Sequence, residues 1–178
     1  MLTLVEQAEV VRVQGAADQR LAELIGALEH ERRLVEDLRQ ALLRQREGVA
    51  ADRPEIVEDS VQAIGRTLLT IEEARRRRTS LIALITGTGG VPLAELEAFL
   101  GRPLPEAFAR AREALRRAAE TTAMDLAINQ TVLRRALEAG DAFLQQLFSS
   151  TADPMPVYAP SPRAAEPRAG SVLLDRTA

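Results

Sequence analysis

The only histidine of the chain, His30, stands between Glu29 and Glu31. Acid–base or metal chemistry would need a second histidine, a cysteine or a serine partner arranged around it. The sequence has no cysteine and its cations are all arginine, which excludes thiol, zinc-finger, two-histidine metal, Schiff-base and Walker phosphate-loop sites. We therefore predict no enzyme, no cofactor and no metal, with a carboxylate enzyme on a helical bundle as a distant alternative.

A run of four arginines, Arg75 to Arg78, is the strongest positive signal in the sequence. Successive helical residues point about 100° apart, so four in a row do not form a one-sided basic stripe. The chain carries a formal charge of −3 and only 3% aromatic residues, which disfavours binding of phosphates or stacking of bases. We predict surface ion pairs here and no nucleic-acid partner.

Leucine, alanine, glutamate and arginine dominate the sequence, a composition typical of long helices. Apolar residues repeat in steps of three and four, which predicts long helices over about 18–50, 54–86 and 105–149. A short helix over 91–100 would connect the last two, and residues 1–13 could extend the first helix or form a separate one. We expect an all-α antiparallel bundle of three long helices with coiled-coil-like seams, a short crossover helix and a disordered proline-rich C-terminal tail.

The break between the first two helices is short. We expect Asp52 to cap the second helix with Glu55 three residues later, as in a capping box. So short a connection places the two helices antiparallel. The acidic pair of the first helix would then face two arginines of the second: Glu29 and Glu31 against Arg75 and Arg78.

The third helix has more large apolar residues than one narrow packing face needs. Its predicted core stripe consists of Ala119, Ala123, Leu126, Gln130, Leu133, Leu137, Gly140, Leu144 and Leu147. Phe143 and Phe148 lie about 100° off that stripe. They could thicken the core, or they could help to form an apolar groove for an amphipathic helix of another protein, and both interpretations stay open.

The composition changes at Thr151, and five of the nine prolines lie beyond it. We predict a helical bundle domain over 1–150 and a flexible tail over 151–178 that orders on binding. The tail holds the only tyrosine, Tyr158, and three consecutive aliphatic residues, Val172, Leu173 and Leu174. No signal-peptide pattern and no apolar run of membrane-spanning length occurs, so we expect a cytoplasmic protein without membrane insertion.

In their order and spacing these features resemble the FlgN-type flagellar export chaperones over nearly the whole chain. The first helix has leucines and acidic pairs from Leu21 to Gln45, and the second contains the family-like segment Ile56 to Glu72 with Arg75 following. The third contains Asn129-Gln130-Thr131-Val132-Leu133, similar to the family's Asn-x-x-x-Leu signature, followed by Leu137 and Leu144. Val157-Tyr158 stands about twenty residues before the end, and a long proline-rich insert after it departs from the family pattern.

The resemblance implies a non-enzymatic cytoplasmic chaperone that binds the terminal helices of hook–filament junction proteins and delivers them to the cytoplasmic domain of the flagellar type III export gate. It implies that the client lies on the C-terminal part of the third helix, at Asn129, Leu133, Leu137, Phe143, Leu144, Leu147 and Phe148. Tyr158 matches the tail tyrosine linked to gate docking, and Val172, Leu173 and Leu174 would close over the client as a clasp. The alternative is a structural coiled-coil adaptor or scaffold without a secreted client, and a homodimer stays open.

Overall fold

A computed structural model describes residues 4–151 of the chain, with side chains described over 17–149. The described residues form four α-helices, α1 (Leu4–Ala50), α2 (Pro54–Thr86), α3 (Leu96–Leu100) and α4 (Glu106–Thr151), and contain no β-strand. The predicted all-α fold, with three long helices and a short crossover helix, is confirmed. The tail that was expected to be disordered lies outside the described residues.

Two of the helices begin at other places than the sequence predicted. α1 begins at Leu4, so residues 4–17 continue the first helix and do not form a separate one. This stretch has no proline, and nothing else in its composition stops a helix. α3 begins at Leu96 instead of residue 91, because the Glu95 N–H donates to the Pro92 carbonyl at 3.0 Å and makes a turn there.

The turn between α1 and α2 differs from the predicted capping box. Asp52 has a φ of 52°, and its N–H donates to the carbonyl of Val49 at 3.3 Å. The N–H of Arg53 donates to the carbonyl of Gly48 at 2.9 Å, which completes a Schellman motif at the end of α1. The capping-box prediction is therefore wrong: Asp52 ends α1 in a left-handed conformation that aspartate tolerates, and Arg53 precedes α2 without a side-chain capping bond.

The chain divides into two compact units, residues 1–140 and 141–178. The division falls within α4, after Gly140. The first unit contains α1, α2, α3 and the part of α4 up to Gly140. Of the second unit, the structure describes the helical residues 141–151.

The apolar core of the first unit lies where α3 crosses between α2 and α4, and we call this region the crossover end. Four of its side chains are at most 1% exposed: Leu24 and Leu28 of α1, Leu96 of α3 and Phe108 of α4. Leu81 and Ile82 of α2 belong to the same buried cluster. Burial of these large apolar side chains is the main contribution that holds the helices together here.

α1 and α2 are antiparallel, as predicted, whereas α4 runs parallel to α1. Glu31 of α1 pairs with Arg78 of α2, while Gly48 lies so close to Val57 that a Cβ on Gly48 would be 3.1 Å from the Val57 nitrogen. We call the region of this close approach the turn end. Along α1 and α4 the residue numbers rise together, because Thr122 bonds to Val35 and Asn129 bonds to Gln45.

Candidate functional site

The face of α4 that packs in the first unit is not the one that the sequence predicted. The buried residues of α4 are Phe108, Ala111, Leu115, Thr122 and Asn129. Within the first unit, the predicted core stripe is exposed at Ala119, Ala123, Leu126, Gln130, Leu137 and Gly140, and only Leu133 is half-buried. The predicted stripe is therefore wrong in phase by one residue, which is about 100° around the helix.

Polar side chains explain this rotation of α4. The carboxylate of Asp125 accepts from Arg39 Nε at 2.7 Å and from Arg46 Nη2 at 2.6 Å, and these bonds hold the pKa of Asp125 below its usual value. The Thr122 hydroxyl donates to the carbonyl of Val35 at 3.4 Å. With the bond between Asn129 and Gln45, these contacts form what we call the polar layer between α1 and α4.

Asn129 belongs to the polar layer and not to the surface. Its side chain is 2% exposed, and its Nδ2 donates to Gln45 Oε1. A partner cannot reach this side chain while α4 stays packed on α1. The expectation that Asn129 contacts a client is corrected accordingly: its amide joins the two helices.

Because the polar layer forms the packing face of α4 here, leucines of this part of α4 lie outside that face, at or near the surface of the first unit. Leu126 is 43% exposed and Leu137 is 71% exposed, while Leu133 is half-buried. Residues seven apart lie on one line of a helix, so Leu126 and Leu133 continue the line that begins at Arg112 and Ala119. We call this series the α4 line.

α2 has a similar line along one edge. Val61 is 52% exposed and Leu68 is 49% exposed, and Arg75 follows Leu68 after another seven residues. We call these three residues the α2 line. Each line is therefore apolar toward the turn end and ends in an arginine toward the crossover end.

The arginine ends of both lines meet in one cleft of about 750 Å³. Its walls come from α1, α2, α4 and the segment that precedes α3: Glu31, Val35, Arg75, Arg78, Leu93, Ala94, Arg112, Glu113, Leu115, Arg116 and Ala119. We call it the arginine cleft. It combines an apolar lining with four guanidinium groups and two carboxylates.

The two carboxylates of the arginine cleft already have partners. Glu31, 3% exposed, lies 2.7 Å from Arg78 Nη1 and 3.6 Å from Arg75 Nε, so its predicted pairing is present. Glu113 accepts from Arg116 and Arg117, and these bonds lower the pKa of Glu113 to about 2. Glu29 does not pair with these arginines: it is exposed and lines a groove beside α4.

Within the second unit, the described helical residues carry four large apolar side chains. Phe143 is 64% exposed, Leu144 and Leu147 are each 48% exposed, and Phe148 is 68% exposed. Spacings of three and four residues place Leu144, Leu147 and Phe148 on neighbouring parts of one helix face. The predicted client-binding residues of this unit are thus exposed side chains, as an apolar docking surface requires.

Other predicted functional residues lie elsewhere. Tyr158, Val172, Leu173 and Leu174 are outside the described residues. His30 is exposed, and over the described part of the chain no group of three histidine, aspartate or glutamate side chains could hold a metal ion. Among the helices that the structure describes, none is long and apolar enough to cross a membrane.

The arginine cleft was not predicted from the sequence. The sequence predicted Arg75 as part of a run of four arginines and as a partner of the acidic pair on the first helix, but it did not single out Arg112. The seven-residue spacing that relates Arg75 to Leu68, and Arg112 to Leu126 through Ala119, is the signal that could have revealed it.

No family model matches the chain, and neither a curated protein nor a solved structure matches it. A functional assignment therefore depends on the surfaces and clefts described above and on the order of features along the sequence.

Proposed function

We propose that this chain is a cytoplasmic export chaperone of the FlgN type. In this proposal it binds the terminal helices of flagellar hook–filament junction proteins, prevents their premature assembly and delivers them to the flagellar type III export gate. The proposal draws on the resemblance in sequence order and on an all-helical fold with apolar residues left at the surface of α4.

The observation that supports it most is the exposure of leucines on α4 in the first unit. Leu126 and Leu137 have 43% and 71% of their surface exposed, although both stand at positions where the sequence alone predicts a core. Eleven residues are about three turns of helix, so both leucines lie on one side of α4, and an exposed apolar side fits the apolar face of another amphipathic helix. Burying the remaining surface of each leucine would contribute about 1 kcal/mol to binding.

Client binding needs no cofactor and no nucleotide in this proposal. The terminal helices of a junction protein are amphipathic and would self-associate, and a helix held on α4 is unavailable for that. The exposed residues Phe143, Leu144, Leu147 and Phe148 of the second unit are further candidates for client contact.

The tail is assigned a separate role. Tyr158 would dock on the cytoplasmic domain of the export gate, and Val172, Leu173 and Leu174 would close over the bound client. A Tyr158→Ala chain is accordingly expected to retain its client and to lose gate binding and motility. Equal loss of client and gate would contradict this division of roles.

The client-binding proposal is tested by co-expression with a hook–filament junction protein and co-purification. Leu126→Glu and Leu137→Glu place a charge on the exposed apolar surface and should each abolish most of the co-purified client. Leu69→Glu and Leu84→Glu are the matched controls, because these leucines are 75% and 58% exposed on α2 and lie off the α2 line. Equal loss in all four variants, or no loss at Leu126 and Leu137, would contradict the proposal.

The alternative function is a structural coiled-coil adaptor without a secreted client. It is favoured by the same seven-residue spacing on α4, since such lines also pair helices of two copies. Sedimentation of the purified chain over a concentration series distinguishes the two. Self-association that Leu126→Glu abolishes, with no junction protein captured, would support the adaptor.

A further inference from the structure

The α2 line and the α4 line meet at the arginine cleft, and the two ends of each line differ in chemistry. Arg75 of the α2 line, together with Arg112 and Ala119 of the α4 line, lines the same arginine cleft. The apolar residues of both lines lie seven and fourteen residues further toward the turn end: Val61 and Leu68 on α2, Leu126 and Leu133 on α4. Both lines are therefore cationic at the arginine cleft and apolar toward the turn end.

The cationic end has an excess of positive charge. Four arginines and two glutamates line the cleft, whereas the whole chain has a formal charge of −3. Within the part of the chain that the structure describes, Arg112 has no carboxylate within 4.0 Å, and its guanidinium lies over the Phe108 ring at 5.9 Å. The stacking orients this guanidinium and leaves its N–H donors available for another acceptor.

Arg75 is a second available donor. Its side chain is 58% exposed and its Nε is 3.6 Å from Glu31, a carboxylate that Arg78 already binds at 2.7 Å. Arg75 could therefore turn toward a new carboxylate without leaving Glu31 unpaired. Arginine pairs planar carboxylates with two parallel hydrogen bonds, so the cleft is suited to acidic side chains.

We propose that the α2 line and the α4 line border one groove leading from the arginine cleft toward the turn end, and that this groove binds an amphipathic helix of a partner protein. The arginine cleft would recognise a cluster of acidic residues at one end of that helix. The partner helix would place apolar side chains against Val61, Leu68 and Leu126 and carboxylates against Arg75 and Arg112. From Arg112 to Leu133 the α4 line covers 21 residues, about 32 Å, which sets the length of the bound helix at about twenty residues. This inference rests on the proposed function insofar as the client helix is the occupant, and it adds the charge pattern that the client must have.

Charge favours an acidic partner over a second copy of this chain. If two copies joined through this groove with their axes parallel, arginines would face arginines. If they joined antiparallel, the arginines of one copy would face the leucines of the other. Neither arrangement matches the groove with itself, whereas an acidic amphipathic helix matches both of its ends.

The test uses the full-length chain and two labelled synthetic helical peptides of 21 residues. One peptide has leucines at seven-residue spacing and three glutamates on the same face at one end, and the other has glutamines in place of these glutamates. Each of the two designs is made in two versions, with its three glutamates or glutamines near the N-terminus or near the C-terminus, which gives four peptides. Binding is followed by fluorescence anisotropy at 50 mM and 300 mM salt. We expect the better glutamate peptide to bind at least about tenfold more tightly than its glutamine counterpart at low salt, and this advantage to shrink at high salt.

Two double variants identify the cleft as the cause. Arg75→Gln with Arg112→Gln should remove the preference for the glutamate peptide. Arg77→Gln with Arg134→Gln removes the same net charge from exposed positions outside the cleft and should preserve it. Equal effects of both double variants would reduce the preference to a long-range charge effect and overturn the proposal.

Further results of the peptide and co-purification experiments distinguish this proposal from its alternatives. Equal affinity for the two peptides, or no binding of either, would overturn the acidic-helix assignment, and a dimer whose formation blocks peptide binding would assign the groove to a second copy. A preference for the glutamate peptide without capture of any junction protein would sustain this inference while the export-chaperone proposal fails. Capture of a junction protein that is insensitive to the Arg75 and Arg112 changes would give the opposite result.

Discussion

At the crossover end, α4 packs on the rest of the first unit through Phe108. This side chain belongs to the same buried cluster as Leu24 and Leu96, and each of the three is at most 1% exposed. Further along, toward the turn end, the same helix meets α1 through Asp125 and Asn129, which bind arginine and glutamine side chains. One helix thus uses apolar contacts in its first half and polar contacts in its second half within the same unit.

The two regions differ in what they leave at the surface. At the crossover end the large apolar side chains of α4, Phe108 and Leu115, are buried in the core. Beside the polar layer the large side chains are turned outward, and Leu126 is left 43% exposed. A helix pair held by polar side chains can keep its orientation while its leucines remain available to a partner, although each polar contact stabilises the fold less than apolar burial does.

The largest effect is expected from the crossover end. Phe108→Ala removes a side chain that is 1% exposed and leaves a cavity among Leu24, Leu28 and Leu96. We expect the free energy of unfolding, measured by urea denaturation, to fall by about 3–5 kcal/mol. Phe99→Ala is the control, because Phe99 is 52% exposed on α3 and its truncation should cost about 1 kcal/mol or less. Similar losses at both positions would show that apolar burial at the crossover end is not what holds α4.

The next largest effect concerns Glu31, which lies in the arginine cleft between the two regions. Glu31→Lys places a third cation beside Arg75 and Arg78 in a site where the native carboxylate is 3% exposed. We expect a loss of about 3 kcal/mol and a fall in melting temperature of about 5–10 °C. Glu58→Lys changes the charge equally at an exposed position and should leave the melting temperature nearly unchanged. A fall at Glu58 as large as that at Glu31 would contradict the pairing.

The helices themselves could be predicted from the sequence, and for a physical reason. Apolar residues in steps of three and four, interrupted by Asp52–Pro54 and by Gly87–Gly90, define where each long helix can bury a face and where it must stop. Gly87 ends α2 in a left-handed conformation with φ of 72°, as glycine does at helix ends. These signals depend only on residues that are close in sequence, so they predict the helices without any knowledge of the tertiary structure.

The phase of α4 could not be predicted, because the second half of its packing face is polar. Ala119, Ala123 and Leu126 are more apolar than Thr122, Asp125 and Asn129, so periodicity alone selects the wrong side of the helix. The polar side can be buried only because Arg39, Arg46 and Gln45 of α1 supply partners some 80 residues away. Spacing within one helix contains no information about such partners, and the arginine cleft could not be predicted for the same reason, since its walls come from several helices.

A smaller, pH-dependent effect is expected from the polar layer at Asp125. Arg39 and Arg46 hold its pKa below the usual value, so the ionised carboxylate stabilises the folded state above about pH 4, and this stabilisation is lost as the pH falls through the lowered pKa. Asp125→Asn should therefore lower the urea midpoint at pH 7, and the difference from the native chain should shrink as the pH falls below about 4.

Asp141→Asn is the control for this measurement. Asp141 is exposed on the same helix, and its replacement should leave the urea midpoint unchanged at either pH. A difference between the native and Asp125→Asn chains that stayed constant from pH 7 to pH 3 would mean that the carboxylate does not stabilise the fold through its charge.

The smallest net effect is expected when the buried amide pair is replaced as a whole. Asn129→Leu alone leaves the Gln45 amide buried without its partner and should cost about 1–2 kcal/mol in urea denaturation. Gln45→Leu together with Asn129→Leu removes both polar groups, and also an Asn129 Oδ1 that has no hydrogen-bond partner among the described residues, so its stability should be within about 1 kcal/mol of the native chain or above it. Gln130→Leu, one residue away and exposed, is the control for added apolar surface. If the double variant instead lost as much free energy of unfolding as its two single variants together, the amide pair would itself stabilise the fold. Polar contacts at the turn end would then contribute more to stability, relative to the apolar core at the crossover end, than the burial of the side chains indicates.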